Sequence, residues 1–346
     1  MTRWHFAIPG DLSLPTGGYE YARRLLAALP ELTHLPLPPG FPAPSDAELH
    51  TTARLLAAVA ADSVVLFDGL ALGALPLWCL DALRAPMVAL VHHPLCLETG
   101  LTPTAHAELR RSETLALTRA ALVLTTSDST AALLARDFAV PGELLVVAEP
   151  GTDRAPRAPR HANPPQLLSV GAISPRKGYD VLVEALAGLA ELPWHLTIAG
   201  DLSRNPSAAA ALQQSIDANG LTHRVTVTGA VSDAAMSALY ARADIFVSAA
   251  RHEGYGMAAA EALAHGLPLV ATNAGALADT VPAEAALRCA PGDAAALRAA
   301  LREMITGAAV RDRCAEASWQ AGQRLPRWEQ TAEIVAGVLG RVGVAG

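Results

Sequence analysis

The stretch Ser174-Pro175-Arg176-Lys177-Gly178-Tyr179-Asp180 holds the chain's one lysine, set between an arginine and a glycine. Arginine supplies the other 25 of the 26 basic side chains, so composition explains why lysine is rare but not where it stands. A guanidinium presents a bidentate fork to phosphate oxygens, and an ammonium presents a compact point charge. Side by side in a turn, the two suit a diphosphate that gains charge as it departs. A second group, Arg251-His252-Glu253-Gly254-Tyr255-Gly256-Met257, places two glycines just before a run of helical composition, Ala258 to His265. Glycines there let the backbone approach a ligand, and the N–H groups of a first helical turn attract anions. Glu253 precedes that helix and Glu261 lies in its second turn; eight residues at helical rise span on the order of 10 Å. Carboxylates so far apart neither share a proton nor grip one small metal ion, but they can hold hydroxyl pairs at the two ends of an extended ligand.

The first half carries weaker signals. Pro15-Thr16-Gly17-Gly18-Tyr19 is a double-glycine turn, a pattern that often serves only geometry. Val91-His92-His93-Pro94 puts two histidines at the end of an apolar run, with Glu98 and Thr99 close behind. A lone histidine is usually structural, whereas two at the carboxyl end of a strand point to a site. Ser127 and Asp128 read best as the start of a helix, with the serine as its cap.

Strand-length apolar runs alternate with segments of helical period, the pattern of open α/β domains with parallel sheets. In the first half the strands are expected at HFAIPG, SVVLFDG, PMVALVHH, ALVLTTS and ELLVVAE, with helices near 18–29, 46–61, 102–118 and 128–138. A proline-dense segment from Glu149 to Pro165 reads as a linker. A second series follows, QLLSVGAI, HLTIAG, RVTVTGA, DIFVSAA, LPLVAT and ALRCA, with helices near 178–190, 206–219, 233–242, 257–265 and 293–306. The cationic pair and Glu253 thus both fall at strand ends, where α/β sheets bind ligands, and two such domains in tandem imply a cleft between them.

A chain of 346 residues exceeds the usual size of one core, which fits two domains. Every apolar run is interrupted well before the ~20 residues of a membrane span, and MTRWHFAIPGDLS reads as a strand rather than a signal peptide. Cys79, Cys96, Cys289 and Cys314 lack paired spacing, which argues against a zinc site or disulfide framework and for a reducing cytoplasm. Residues 1–150 hold nine arginines against fifteen acidic groups, a net of −6 within the total of −7. Nucleic acid and an anionic bilayer are therefore poor partners.

With these motifs in view, the second half resembles the retaining GT-B glycosyltransferases of family 4, also called group 1. VGAISPRKGYDVLVEAL looks like the segment opening their donor domain, IAGD like their second strand end, and TGAVSDAAMSALYARADIFVSAA like their base-binding turn, helix and fourth strand. HEGYGMAAAEALAHGLPLVAT looks like their signature of two glutamates separated by seven residues, with alanines where the family often has proline and larger apolar side chains. The resemblance implies two doubly wound Rossmann-like domains facing across a cleft. Residues 1–155 would read the acceptor, 156–325 would bind the nucleotide sugar, and a helix in 326–346 would cross back to the first domain. It further implies that Arg176 and Lys177 bind the diphosphate, Glu253 sugar hydroxyls and Glu261 the ribose. The amides of Gly254, Tyr255, Gly256 and Met257 would hold phosphate, Gly200 would line the donor site, and Gly229 with Val231 would meet the base. Gly17 and Gly18 would approach the donor phosphate and His92 the transferred sugar. Glu98 and His93, the latter standing where the family often has aspartate, would line the acceptor site.

The activity so implied is transfer of a hexosyl group from a UDP-, GDP- or ADP-linked sugar to a hydroxyl acceptor, with retention and with neither metal nor cofactor. The departing phosphate would take the acceptor's proton. There is no Asp-x-Asp pair to bridge a divalent ion. The acidic first half favours a small metabolite or neutral glycan as acceptor over a polyanionic lipid; membrane association is not expected, and oligomeric state is open. Three rivals stand beside this reading. Gly254-Tyr255-Gly256-Met257-Ala258-Ala259 also fits the fingerprint of an NAD-dependent dehydrogenase, although the next strand ends in Thr272-Asn273 rather than in an acid. A sugar phosphorylase would carry pyridoxal phosphate on the single lysine, and a non-catalytic nucleotide-sugar-binding protein would keep the donor site without turnover.

Overall fold

The computed structural model describes residues 2–160 and 162–345; Met1, His161 and Gly346, which fall within the expected segments, lie outside the described residues. The chain divides into two compact units, residues 1–151 together with 326–346, and residues 152–325. The division falls four residues before the expected boundary, because the irregular segment after Gly151 packs with the second unit. Its Ala158 is buried, with its N–H bonded to His265 O, and Arg154 donates to Gly322 O.

In the first unit a parallel sheet is built from β1 (Trp4–Pro9), β2 (Leu32–Leu37), β3 (Val64–Asp68), β4 (Met87–Val91), β5 (Leu122–Thr125) and β6 (Leu145–Val147), in the order β2-β1-β3-β4-β5-β6. Every residue of β3 and β4 is buried, as expected of parallel strands covered on both faces. β2 is not legible in the sequence: LTHLPL is partly exposed and contains Pro36, which only an edge strand tolerates well. The reversal of strand order lies between β1 and β3. Helix Trp328–Ala345 packs on helix Gly17–Ala28 and on β3, β4 and β5, and so is part of this unit.

The second unit has the strands β7 (Gln166–Val170), β8 (His195–Ala199), β9 (Val225–Gly229), β10 (Ile245–Ser248), β11 (Leu269–Thr272) and β12 (Ala286–Cys289). They run parallel in the order β12-β11-β10-β7-β8-β9, which is the dinucleotide-fold order with its reversal between β7 and β10. Apolar clusters cover both faces, one around Leu182, Leu186, Trp194 and Leu301, the other around Leu168, Tyr240, Phe246 and Leu263. Helix Ala308–Gly322, absent from the sequence reading, lies against helix Met257–Ala264 so closely that a Cβ on Gly322 would stand 2.3 Å from Leu263 O. No helix among the described residues is long and apolar enough to cross a membrane.

Candidate active site

Arg176 and Lys177 occupy a 3-10 turn, Pro175–Lys177, that follows β7. The turn ends at Gly178, with φ 67° and with its Cα so near the end of β10 that a Cβ would lie 2.0 Å from Ala249 O. A side chain here would meet both a steric clash and an unfavourable backbone conformation. The turn therefore sits against the end of β10, and the loop leaving β10 carries Glu253. Lys177 Nζ lies 2.5 Å from Glu253 Oε1, while Arg176 Nη1 lies 3.4 Å from Oε2 and donates to His252 O at 2.9 Å. Glu253 is buried, so the three charges meet largely out of water, directly over the reversal between β7 and β10. The Lys177 stem crosses Gly171, where a Cβ would come within 2.6 Å of Cε.

Arg251 stitches the two loops together. Its guanidinium grips both carboxylate oxygens of Asp180 (2.9 and 2.6 Å) and donates to Pro175 O (2.6 Å), while its backbone N–H donates to Arg176 O (2.7 Å). Glu253 O accepts from Ala276 N (2.9 Å), which fixes the other side of the loop. Gly254 and buried Tyr255 lead to Gly256, which has φ 95° and caps helix Met257–Ala264. No side chain caps that helix, and in its first turn Ala259 N donates to Gly256 O at 2.8 Å. Glu261 lies in the second turn beside Tyr240. Burial first, and the Glu261 carboxylate second, push the Tyr240 hydroxyl well above its usual range, and it donates to Ala258 O at 3.0 Å. Gly200 and Gly229 close β8 and β9, joined by a bond from Gly200 N to Gly229 O (3.1 Å). A Cβ at Gly200 would meet Gly171 O at 1.9 Å, so that glycine serves strand-end packing whatever else it does. Val231 precedes Ser232, the cap of helix Asp233–Arg242.

In the first unit the predicted residues also gather at strand ends. Gly17 opens helix Gly17–Ala28, capped by Thr16, and a Cβ on Gly18 would stand 3.6 Å from the His92 imidazole. His92 follows β4, and its Nε2 lies 3.8 Å from Oδ2 of Asp68, the last residue of β3. Burial holds the His92 imidazole down to about 4, helped by neighbouring His93, and pushes the Asp68 carboxyl up to about 6 against the opposing pull of the Leu70 N–H. Near neutral pH this gives a neutral imidazole beside a carboxylate. The Tyr21 ring meets His92 edge-on at 5.2 Å and Trp328 at 5.5 Å. His93 Nε2 and Glu98 Oε1 pair at 2.7 Å. The loop between them is held by buried Glu113, whose carboxylate accepts from Leu95 N and Cys96 N at 2.6 and 3.2 Å.

Residues 152–320 match the sequence profile of the glycosyl transferases group 1. An MMP alpha-(1->4)-mannosyltransferase of Mycolicibacterium hassiacum is 29% identical over 284 residues, 77% of this chain and 67% of the relative. The second unit carries the profile of the group 1 glycosyltransferases. A glycogen synthase of Mycobacterium tuberculosis is 34% identical to this chain over 194 residues, 53% of the chain but only 44% of the relative. The sucrose-phosphate synthase of Thermosynechococcus elongatus superposes with a TM-score of 0.84 at 21% identity, covering 99% of this chain and 100% of the other. Anabaena HepE in complex with UDP-glucose gives 0.79 at 18% identity over 97% and 99%. At such identities the likeness is one of fold, the two-domain α/β architecture of GT-B glycosyltransferases.

Sequence reasoning missed Asp68, Gly171, the Arg251–Asp180 brace, and the Tyr21–Trp328 packing behind His92. Asp68 had a readable signal, an acid closing a wholly apolar strand. The brace and the aromatic packing pair residues distant in the chain, and Gly171 matters only through the path of the Lys177 stem.

Proposed function

We propose that this chain is a group 1 glycosyltransferase that moves a hexosyl group from a nucleoside-diphosphate sugar to an acceptor hydroxyl, with retention and without a metal ion. The observation that carries the reading is the meeting of Arg176, Lys177 and Glu253 over the strand reversal, beside an uncapped helix N-terminus. Positive charge fixed in advance where a leaving diphosphate gains negative charge stabilises the transition state more than the ground state, and so speeds the bond-breaking step. The cationic pair does the work that a divalent ion would otherwise do. In the step proposed, the bond from the anomeric carbon to phosphate breaks and the acceptor oxygen bonds to the same face. The acceptor's proton passes to the departing phosphate oxygen. Neutral His92 serves as a hydrogen-bonding group toward the sugar, and His93 with Glu98 serves the acceptor. The nucleotide is UDP, GDP or ADP, its base met near Gly229 and Val231, and the acceptor is a small metabolite or neutral glycan. Four buried free thiols fit a reducing cytoplasm.

The dehydrogenase reading loses support at β11, where Thr272 stands in place of an acid and spends its hydroxyl on Ala250 O (2.6 Å). Incubation with UDP-, GDP- and ADP-glucose and -mannose in EDTA, followed by proton NMR of the product's anomeric coupling, tests the proposal. Consumption of one donor with the anomeric configuration kept is expected. Inversion, or activity that vanishes with EDTA and returns with a divalent ion, overturns the mechanism; binding without turnover favours the non-catalytic reading.

A further inference from the structure

Both oxygens of Glu253 face cations, Oε1 at 2.5 Å from Lys177 and Oε2 at 3.4 Å from Arg176. The side chains are 11%, 18% and 19% exposed in the order Glu253, Lys177, Arg176, so water screens these contacts weakly. The cluster has little room to relax. The Lys177 stem is laid across Gly171, and the Glu253 backbone is held by Ala276 N and by Gly275, whose Cβ would be 2.4 Å from Glu253 O. A diphosphate that takes the two cations must therefore share them with Glu253 or displace it, and either way an anion comes to stand beside a carboxylate. Like charges placed together at a desolvated site are costly unless the carboxylate finds donors. A hexosyl group brings hydroxyl donors beyond the terminal phosphate; a nucleoside diphosphate, whose ribose hydroxyls lie at its other end, and pyrophosphate lack them.

We infer that Glu253 is an internal counter-anion that discriminates the sugar-bearing donor from the sugar-free product. On donor binding it exchanges the cations for sugar hydroxyls, and after transfer it reclaims Lys177 and drives the nucleoside diphosphate out. The inference rests on the reading of this site as a diphosphate clamp. A residue that only held sugar would leave the affinity for a sugar-free anion unchanged, which makes the two roles separable.

The test is calorimetric binding of inorganic pyrophosphate, a probe without base or sugar, to the full chain and to Glu253→Gln. The variant is expected to bind pyrophosphate roughly tenfold more tightly, while transfer falls and affinity for the sugar-bearing donor does not rise. In a Lys177→Ala background the same substitution is expected to raise pyrophosphate affinity by clearly less, because of the two shared cations only Arg176 is left. Equal or weaker pyrophosphate binding by Glu253→Gln overturns the inference and leaves the clamp standing. Absence of pyrophosphate and nucleoside-diphosphate binding in both proteins overturns the clamp, and the inference with it. Should Glu253→Gln fail to fold, Glu253→Asp, which draws the carboxylate back by one methylene, must shift affinity in the same direction or the inference falls.

Discussion

At the ends of β7 and β10, three charged side chains meet within hydrogen-bonding reach; at the ends of β3 and β4, His92 and Asp68 stand 3.8 Å apart with aromatic rings behind the imidazole. Both places sit at the carboxyl edge of a parallel sheet, and both use a glycine-bearing turn. Their electrostatics differ in kind. In the second unit the charges pair with one another. In the first unit burial acts on each group singly, lowering the imidazole and raising the carboxyl. The first arrangement suits an anion that must be held and released, and the second suits neutral hydroxyl groups.

The contrast breaks most visibly at Lys177. Lys177→Ala is expected to slow transfer by ~10²–10³-fold; near-normal turnover would remove the charge cluster from the chemistry. Trp328→Ala tests the aromatic side of the comparison. Trp328 is buried against Tyr21, and its truncation is expected to cost ~3 kcal/mol in denaturant unfolding, with Trp328→Phe recovering much of the loss. A loss below about 0.5 kcal/mol, the range of an ordinary surface substitution, would show that the stack does not support the pocket.

The pH dependence of stability sharpens the point about groups buried singly. With His92 lowered from 6.5 to about 4, the unfolded chain binds a proton that the folded one refuses, so this group makes stability rise with pH between about 4 and 6.5. With Asp68 raised from 3.8 to about 6, the folded chain keeps a proton that the unfolded one has lost, so this group makes stability fall with rising pH between about 4 and 6. In the native protein the two slopes oppose each other. Asp68→Asn is expected to expose the rising slope and His92→Asn the falling one, each by ~1–2 kcal/mol, discounted because the His92 side chain is 23% exposed. Parallel unfolding curves for both variants from pH 4 to 6.5 would contradict the assignment. The smallest effect is expected at Arg251. Arg251→Ala should cost about tenfold in kcat/KM, worth about 1.4 kcal/mol, with Arg251→Lys rescuing only in part because an ammonium cannot grip both Asp180 oxygens. Full rescue by lysine would reduce the brace to a simple charge pair.

The cationic turn and the glycine loop were legible because each is written in a single turn. Arg176, Lys177 and Gly178 are consecutive, and Glu253, Gly254 and Gly256 lie within four residues, so local backbone rules disclose them. β2 escaped notice because Pro36 and Thr33 blur its alternation, and only its neighbour β1 makes it a strand. Helix Ala308–Gly322 escaped because its small and polar residues show a weak apolar period; its place comes from packing on helix Met257–Ala264.

By itself the sequence determined the alternation of strands and helices, the glycine-bearing turns and the pair of glutamates, since apolar period and glycine placement act over a few residues. Tertiary structure alone decided that Glu253 would neutralise Lys177, that Asp68 would stand beside His92, and that Trp328 would back Tyr21. Those contacts depend on which strands become neighbours in the sheet, and strand order is set by the packing of the whole unit rather than by any short stretch of chain.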